Sequence, residues 1–181
     1  MSTIRVGNIG PLTGNTSVIA DPGVSGGGMS LVSMGSYSLS GTSTTITGIP
    51  SWARRITVVF NNVSSTSSAN WKLQIGSGSI TSSGYTSGYS YQTGTTTSTS
   101  TSSVGFEYPV PSSSATGYGT ARIHLCSGYT YICDSVIFMQ SSTYMGYVAG
   151  TVTLSGAMDR INLTADGSAT FDAGTLNVFY E

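Results

Sequence analysis

Charged side chains are scarce in this chain of 181 residues: six Lys and Arg, seven Asp and Glu and one His leave 7% of positions charged, with a formal net charge of −1. An ordinary soluble domain carries about 25%. Nucleic acid is therefore not expected as a partner, because such a binder must neutralise several phosphates. The five arginines and one lysine, spread from Arg5 to Arg160, offer only Arg54-Arg55 as a cluster. Long apolar runs are also missing. No stretch approaches the ~18 to 20 residues that span a bilayer, and Met1 to Gly10 lacks both a basic n-region and an apolar h-region. Neither membrane insertion nor a secretory leader is expected.

Catalytic reagents are few. His124 is the sole histidine; in Arg122-Ile123-His124-Leu125 it alternates with apolar neighbours, which places it on the outer side of a strand with no orienting carboxylate near in sequence. Gly23-Val24-Ser25-Gly26-Gly27 matches G-x-S-x-G, but the Gly and Ser content makes that match unremarkable, and no strand-to-helix context surrounds it. The acids Asp21, Glu107, Asp134, Asp159, Asp166, Asp172 and Glu181 contain no pair that sequence singles out for glycoside hydrolysis. Asp166-Gly167 and Asp172-Ala173-Gly174 read as turn chemistry, with a calcium site of Asp159, Asp166 and Asp172 as the sharper alternative. His124, Cys126 and Cys133 have no spacing known for structural zinc. No cofactor motif and no catalytic residue is assigned, and the chain is not expected to be an enzyme. A polysaccharide-active enzyme using two of the acids is a remote alternative.

Cysteine is limited to Cys126 and Cys133. A hairpin turning at Tyr129-Thr130 sets them across from each other, so they are either a strained cross-strand bridge or two small thiols kept reduced in a cytosol. The sequons at Asn15, Asn62 and Asn162 carry meaning only on a secretory route.

What the chain does contain is hydroxyl and backbone: Ser and Thr make up about a third of it, beside 24 Gly and 11 Tyr, and 38% is hydrophobic. That is enough apolar content for a core. Helical periodicity is nearly absent, and short β-branched or aromatic runs between Gly, Ser, Asn and Pro predict an all-β fold. The expected strands are Thr3 to Val6, Ser30 to Leu39, Thr44 to Ile49, Arg55 to Phe60, Trp71 to Ile75, Tyr89 to Gln92, Gly105 to Tyr108, Ala121 to Leu125, Tyr131 to Met139, Met145 to Leu154, Arg160 to Thr164 and Thr175 to Tyr180. A short turn is expected at Pro50 to Arg54. Ile56, Val58 and Phe60 form one core-facing stripe, and Leu176, Val178 and Tyr180 another. So many short strands predict a jelly-roll-like two-sheet β-sandwich over residues 30–181.

Residues 1–29 read as an extended N-terminal arm with a Gly-rich hinge, whose Ile4, Val6, Ile9 and Ile19 need a neighbour to pack on. The Ser/Thr run from Thr93 to Ser103 has strand propensity but nothing to bury, and reads as an exposed loop or edge. Tyr beside Ser and Gly makes adaptable contact surface. Tyr85, Tyr89, Tyr91 and Tyr118 are accordingly candidate surface-recognition residues whose rings could stack on the sugars of a surface glycan. The plainer reading is that Tyr89 and Tyr91 occupy one face of a strand.

Gly48-Ile49-Pro50-Ser51-Trp52-Ala53-Arg54-Arg55-Ile56-Thr57-Val58-Val59-Phe60-Asn61, then Leu73-Gln74-Ile75-Gly76-Ser77-Gly78, then Asp159-Arg160-Ile161 and Thr170 through Glu181 together resemble the C-terminal β-sandwich domain of tailed-bacteriophage virion proteins. The resemblance covers roughly residues 44 to 181, and the start Ser2 to Val6 with Asn15-Thr16-Ser17 is similar as well. It implies a non-enzymatic, homotrimeric component on the outside of a virion, built from copies of itself and attached to other virion proteins. Such a component is either a tail fibre or receptor-binding tip, or a capsid decoration protein anchored through Ile4 to Ile19 and Arg54-Arg55.

Overall fold

A computed structural model describes residues 31–140 and 144–181. The arm, with the expected strand Thr3 to Val6, the contacts Ile4, Val6, Ile9 and Ile19, and the G-x-S-x-G match, lies outside the described residues. Thirteen strands make up the rest: β1 (Val32–Ser38), β2 (Ser43–Thr47), β3 (Arg55–Ser65), β4 (Trp71–Ser77), β5 (Ser79–Ile80), β6 (Thr86–Thr93), β7 (Thr96–Ser102), β8 (Phe106–Tyr108), β9 (Gly117–Ser127), β10 (Thr130–Met139), β11 (Tyr144–Thr153), β12 (Arg160–Ala165) and β13 (Phe171–Tyr180). The expected turn at Pro50 to Arg54 is present, closed by the Ala53 amide donating to the Pro50 carbonyl at 2.9 Å.

The strands form two antiparallel sheets. The large one has the order β1-β13-β3-β9-β10-β11-β6-β7, and the small one β2-β12-β4-β5 with β8 also on β4. Setting aside β5 to β7 and β10 to β11, the chain crosses between sheets at every step except β4 to β8. That gives β1-β13-β3-β9 facing β2-β12-β4-β8, which is the wrapping of a jelly roll. Two hairpins are inserted into it. β10–β11 lies between β9 and β12 in sequence, β6–β7 between β4 and β8, and together they widen the large sheet by four strands.

Alternating apolar residues from both sheets fill the space between them. Ile56, Val58 and Phe60 of β3 and Leu176 and Val178 of β13 are buried, as the two stripes predict, while Tyr180 is half-buried; Leu73 and Ile75 of β4, Ile123 of β9 and Ile161 and Leu163 of β12 are buried with them. Trp71 sits within this core, its Nε1 donating to Ser65 Oγ at 2.9 Å and its ring 5.9 Å from that of Phe171. Removing each such side chain from water stabilises the fold by about 1.5–3 kcal/mol.

Three departures from the expected strands share a cause. β3 continues past Phe60 to Ser65, and β13 begins at Phe171 instead of Thr175, because Asn61-Asn62 and Asp172 to Gly174 form bulges within strands, not turns between them. Registers shift at both places, with Asn62 at φ 57° and Gly174 at φ 102°. The hairpin after β9 turns at Gly128-Tyr129, with Gly128 at φ 54°. Ser127 pairs with Thr130 but Leu125 with Tyr131, so Cys126 is the extra residue of a bulge, while Cys133 pairs with Ile123. Cys126 is exposed, Cys133 is buried, and both thiols are free.

Candidate functional site

The widened part of the large sheet has two chemically different faces, and the residues divide between them by simple alternation. In β10 the odd positions Tyr131, Cys133, Ser135, Ile137 and Met139 are buried, and Ile132, Asp134, Val136 and Phe138 face out. In β11 the even positions Tyr144, Val148 and Val152 turn inward, leaving Met145, Tyr147 and Ala149 outside. Register sets Phe138 against Met145, Val136 against Tyr147 and Asp134 against Ala149. The outer face therefore carries a patch of large apolar side chains, with Ile132 44%, Val136 38%, Phe138 37% and Tyr147 52% exposed.

Beside the patch runs an open groove of about 600 Å³ over β10, β11, β6 and β7. Gly88 and Ala149, opposed in the ladder, keep its floor low, and Tyr147, Val136, Ser90 and Thr99 line its sides. The polar end is made by Asp134. Arg122 Nε and Nη2 both donate to Asp134 Oδ2, at 3.0 and 2.6 Å, and His124 Nε2 lies 3.6 Å from Oδ1. Sequence gave His124 no orienting carboxylate; β10 supplies one from ten residues away. The carboxylate is already held by a guanidinium, so the cluster is a charge-balanced surface network worth little to stability, about 0–1 kcal/mol per pair.

The inner face of the same strands carries tyrosines. Tyr89 and Tyr91 project from β6 with rings 6.4 Å apart, and Tyr91 stacks on Tyr144 at 4.8 Å and 27°. Both are half-buried against the core on one face of β6, as the one-face reading has it, and Tyr89 also contributes to the lining of the groove. Tyr85 is a correction. It is buried rather than a surface contact, packed edge-on to Phe106 at 5.1 Å, and its hydroxyl accepts from the Ile75 amide at 2.8 Å and donates to the Thr81 carbonyl at 3.0 Å. Desolvation pushes its pKa up to about 12. Tyr118 is half-exposed, and its hydroxyl donates to Asn62 Oδ1 at 2.8 Å, which ties it to the bulge in β3. Of the two assembly arginines, Arg55 pairs with the Glu181 carboxylate, and Arg54 is exposed beside it.

The acids considered for calcium are each engaged elsewhere. Asp159 is held by Arg160 and by the Gly78 amide, Asp166 by Lys72, and Asp172 by Ser64. Arg160 and the Gly78 amide hold the Asp159 carboxyl below the usual carboxylate range. Cys133 turns inward, away from His124, and burial pushes its thiol far above the ordinary range. Among the described residues no three His, Cys, Asp or Glu gather as metal ligands.

The outward residues Ile132, Val136, Phe138 and Tyr147 were missed by reasoning over tyrosine content. A signal existed. A sandwich strand with one wet face should alternate apolar and polar, and Val136-Ile137-Phe138-Met139 is apolar at both parities. No family model matches the chain, and no curated protein matches it.

Proposed function

We propose that this chain is a non-enzymatic structural protein on the surface of a tailed-bacteriophage particle, acting as a homotrimeric tail fibre or receptor-binding tip. The observation that carries the reading is the exposed apolar patch of Ile132, Val136, Phe138 and Tyr147 on a broad sheet face. Val136 and Tyr147 oppose each other in the ladder with Phe138 next on the same face, exposed apolar surface of this kind marks contact with another macromolecule, and a rigid jelly roll holds it in one orientation. The surroundings suit burial against copies of the same chain. Apart from the Arg122, Asp134 and His124 cluster, the cross-strand neighbours are the uncharged Ser90, Tyr118, Thr120, Met145 and Thr151, which cost far less to desolvate than ions. The three-fold arrangement and the virion setting rest on the resemblance of residues 44 to 181 to phage sandwich domains.

The test has two parts. Sedimentation of the full chain should give species built on a trimer, and Phe138→Glu with Tyr147→Glu should abolish every three-fold species while the far-ultraviolet circular dichroism is unchanged. Antibody against the chain should label the tail tip of purified particles in electron micrographs. A monomeric wild type, or particles without label, would sink the proposal; label confined to the head would replace the fibre with a decoration protein.

A further inference from the structure

The outward N–H and C=O groups of an edge strand are a template for another strand unless charge, proline, a bulge or short length blunts them. Edges among the described residues differ in this respect. In the small sheet β2, β5 and β8 run only five, two and three residues. In the large sheet β1 carries a bulge between Ser33 and Gly35. β7, at the other end, has none of these protections. Its seven residues pair with β6 one for one without a register shift, it contains no proline, and no Asp, Glu, Lys, Arg or His occurs between Lys72 and Glu107.

Alternation fixes which backbone groups are free. The Ser100 carbonyl oxygen lies on the β6 side, 3.4 Å from where a Cβ on Gly88 would stand, and the Ser102 carbonyl accepts from Ser87 Oγ at 3.0 Å. Thr96, Ser98, Ser100 and Ser102 thus spend their backbone groups on β6, and Thr97, Thr99 and Thr101 turn theirs outward. Those three are exposed and chemically identical.

We infer that β7 pairs antiparallel with the β7 of a second copy about a two-fold axis at Thr99, joining two large sheets into one continuous sheet. A two-fold contact demands that a surface be complementary to itself, and this edge meets the demand. Antiparallel placement sets Thr99 against Thr99 and Thr97 against Thr101, each opposed pair exchanging both of its N–H···O=C bonds. Thr–Thr cross-strand pairs are favourable, and no like charges meet. Because the axis stands perpendicular to the sheet, the groove beside Thr99 continues into the groove of the second copy. The contact uses the edge and not the outer apolar patch, so it is additional to the trimer contact and independent of it. With both present, subunits assemble in even multiples of the trimer.

The experiment uses the full chain across a concentration series, followed by native mass spectrometry and by hydrogen exchange resolved at β7. Expected are even-numbered species, with protection of the Thr97, Thr99 and Thr101 amides that rises with concentration. Thr99→Lys and Thr99→Glu should each abolish both while keeping the wild-type far-ultraviolet circular dichroism, since Thr99 is exposed. An equimolar mixture of the two variants should restore pairing, because the axis opposes position 99 to itself. The inference is overturned if only monomer and trimer form with these amides unprotected, if protection does not depend on concentration, or if the mixture fails to pair. Phe138→Glu distinguishes the two contacts: it should remove the three-fold species and leave the two-fold one.

Discussion

Tyr85 illustrates what one hydroxyl can do inside this fold. Its ring fills core space against Phe106, and its oxygen satisfies the Ile75 amide and the Thr81 carbonyl. Tyr85→Phe keeps the ring and strands the Ile75 amide, and an unsatisfied buried donor costs about 1–3 kcal/mol; urea denaturation should read that loss. The pH sign follows from burial. Burial raises the folded-state pKa to about 12 from the ordinary 10.0, so the protonated phenol stabilises the fold below pH 10, and that contribution is lost as pH climbs from 10 through about 12. In Tyr85→Phe the alkaline loss should shrink. Local sequence gave the opposite reading of this residue, since Ser83, Gly84, Thr86 and Ser87 around it are all surface-type. The partners that bury it come from β4 and β8, and no local window contains them.

At the scale of elements, the paired bulges of β3 and β13 matter most. Asn62 is the one non-glycine at positive φ among the described residues, and a Cβ at Gly174 would lie 2.5 Å from the Asn62 carbonyl oxygen. Two neighbouring strands thus bend at the same place, each using a residue that tolerates left-handed backbone. Asn62→Gly should preserve the bend and lose only the Tyr118 hydrogen bond, about 0.5–1.5 kcal/mol. Asn62→Val should cost more, since a β-branched residue there pays about 1–2 kcal/mol for the backbone alone; guanidinium unfolding midpoints would rank the three proteins. Sequence reading stopped at Asn61 and at Asp172 to Gly174 because the residues that favour turns also favour bulges. The elements themselves were legible. Twelve strands were expected, and the eleven within the described residues all appear, because their two-residue periodicity is local. The edge strand β7 was legible as an exposed loop or edge, and β5, two residues long, is below what periodicity can resolve.

For the whole molecule, the small number of ions makes stability nearly independent of ionic strength. The ion pairs Arg122–Asp134 and Arg160–Asp159 are exposed or half-exposed, and such pairs contribute about 0–1 kcal/mol before screening. Calorimetry between dilute and near-molar sodium chloride should therefore shift Tm by less than about 4 °C, the change that about 1 kcal/mol makes in a domain of this size. A larger drop would mean that the few charges matter more than their exposure suggests. The wrapping of the two sheets has a further consequence, for biosynthesis. β13 lies between β1 and β3, so the two strands that flank it are synthesised more than a hundred residues before it. Until β13 leaves the ribosome, β1 and β3 keep open edges and the large sheet has a gap over the core. Closure of the sandwich is necessarily a late, long-range event, and a chain cut short before Phe171 would expose two adjacent strand edges to its neighbours in the cell.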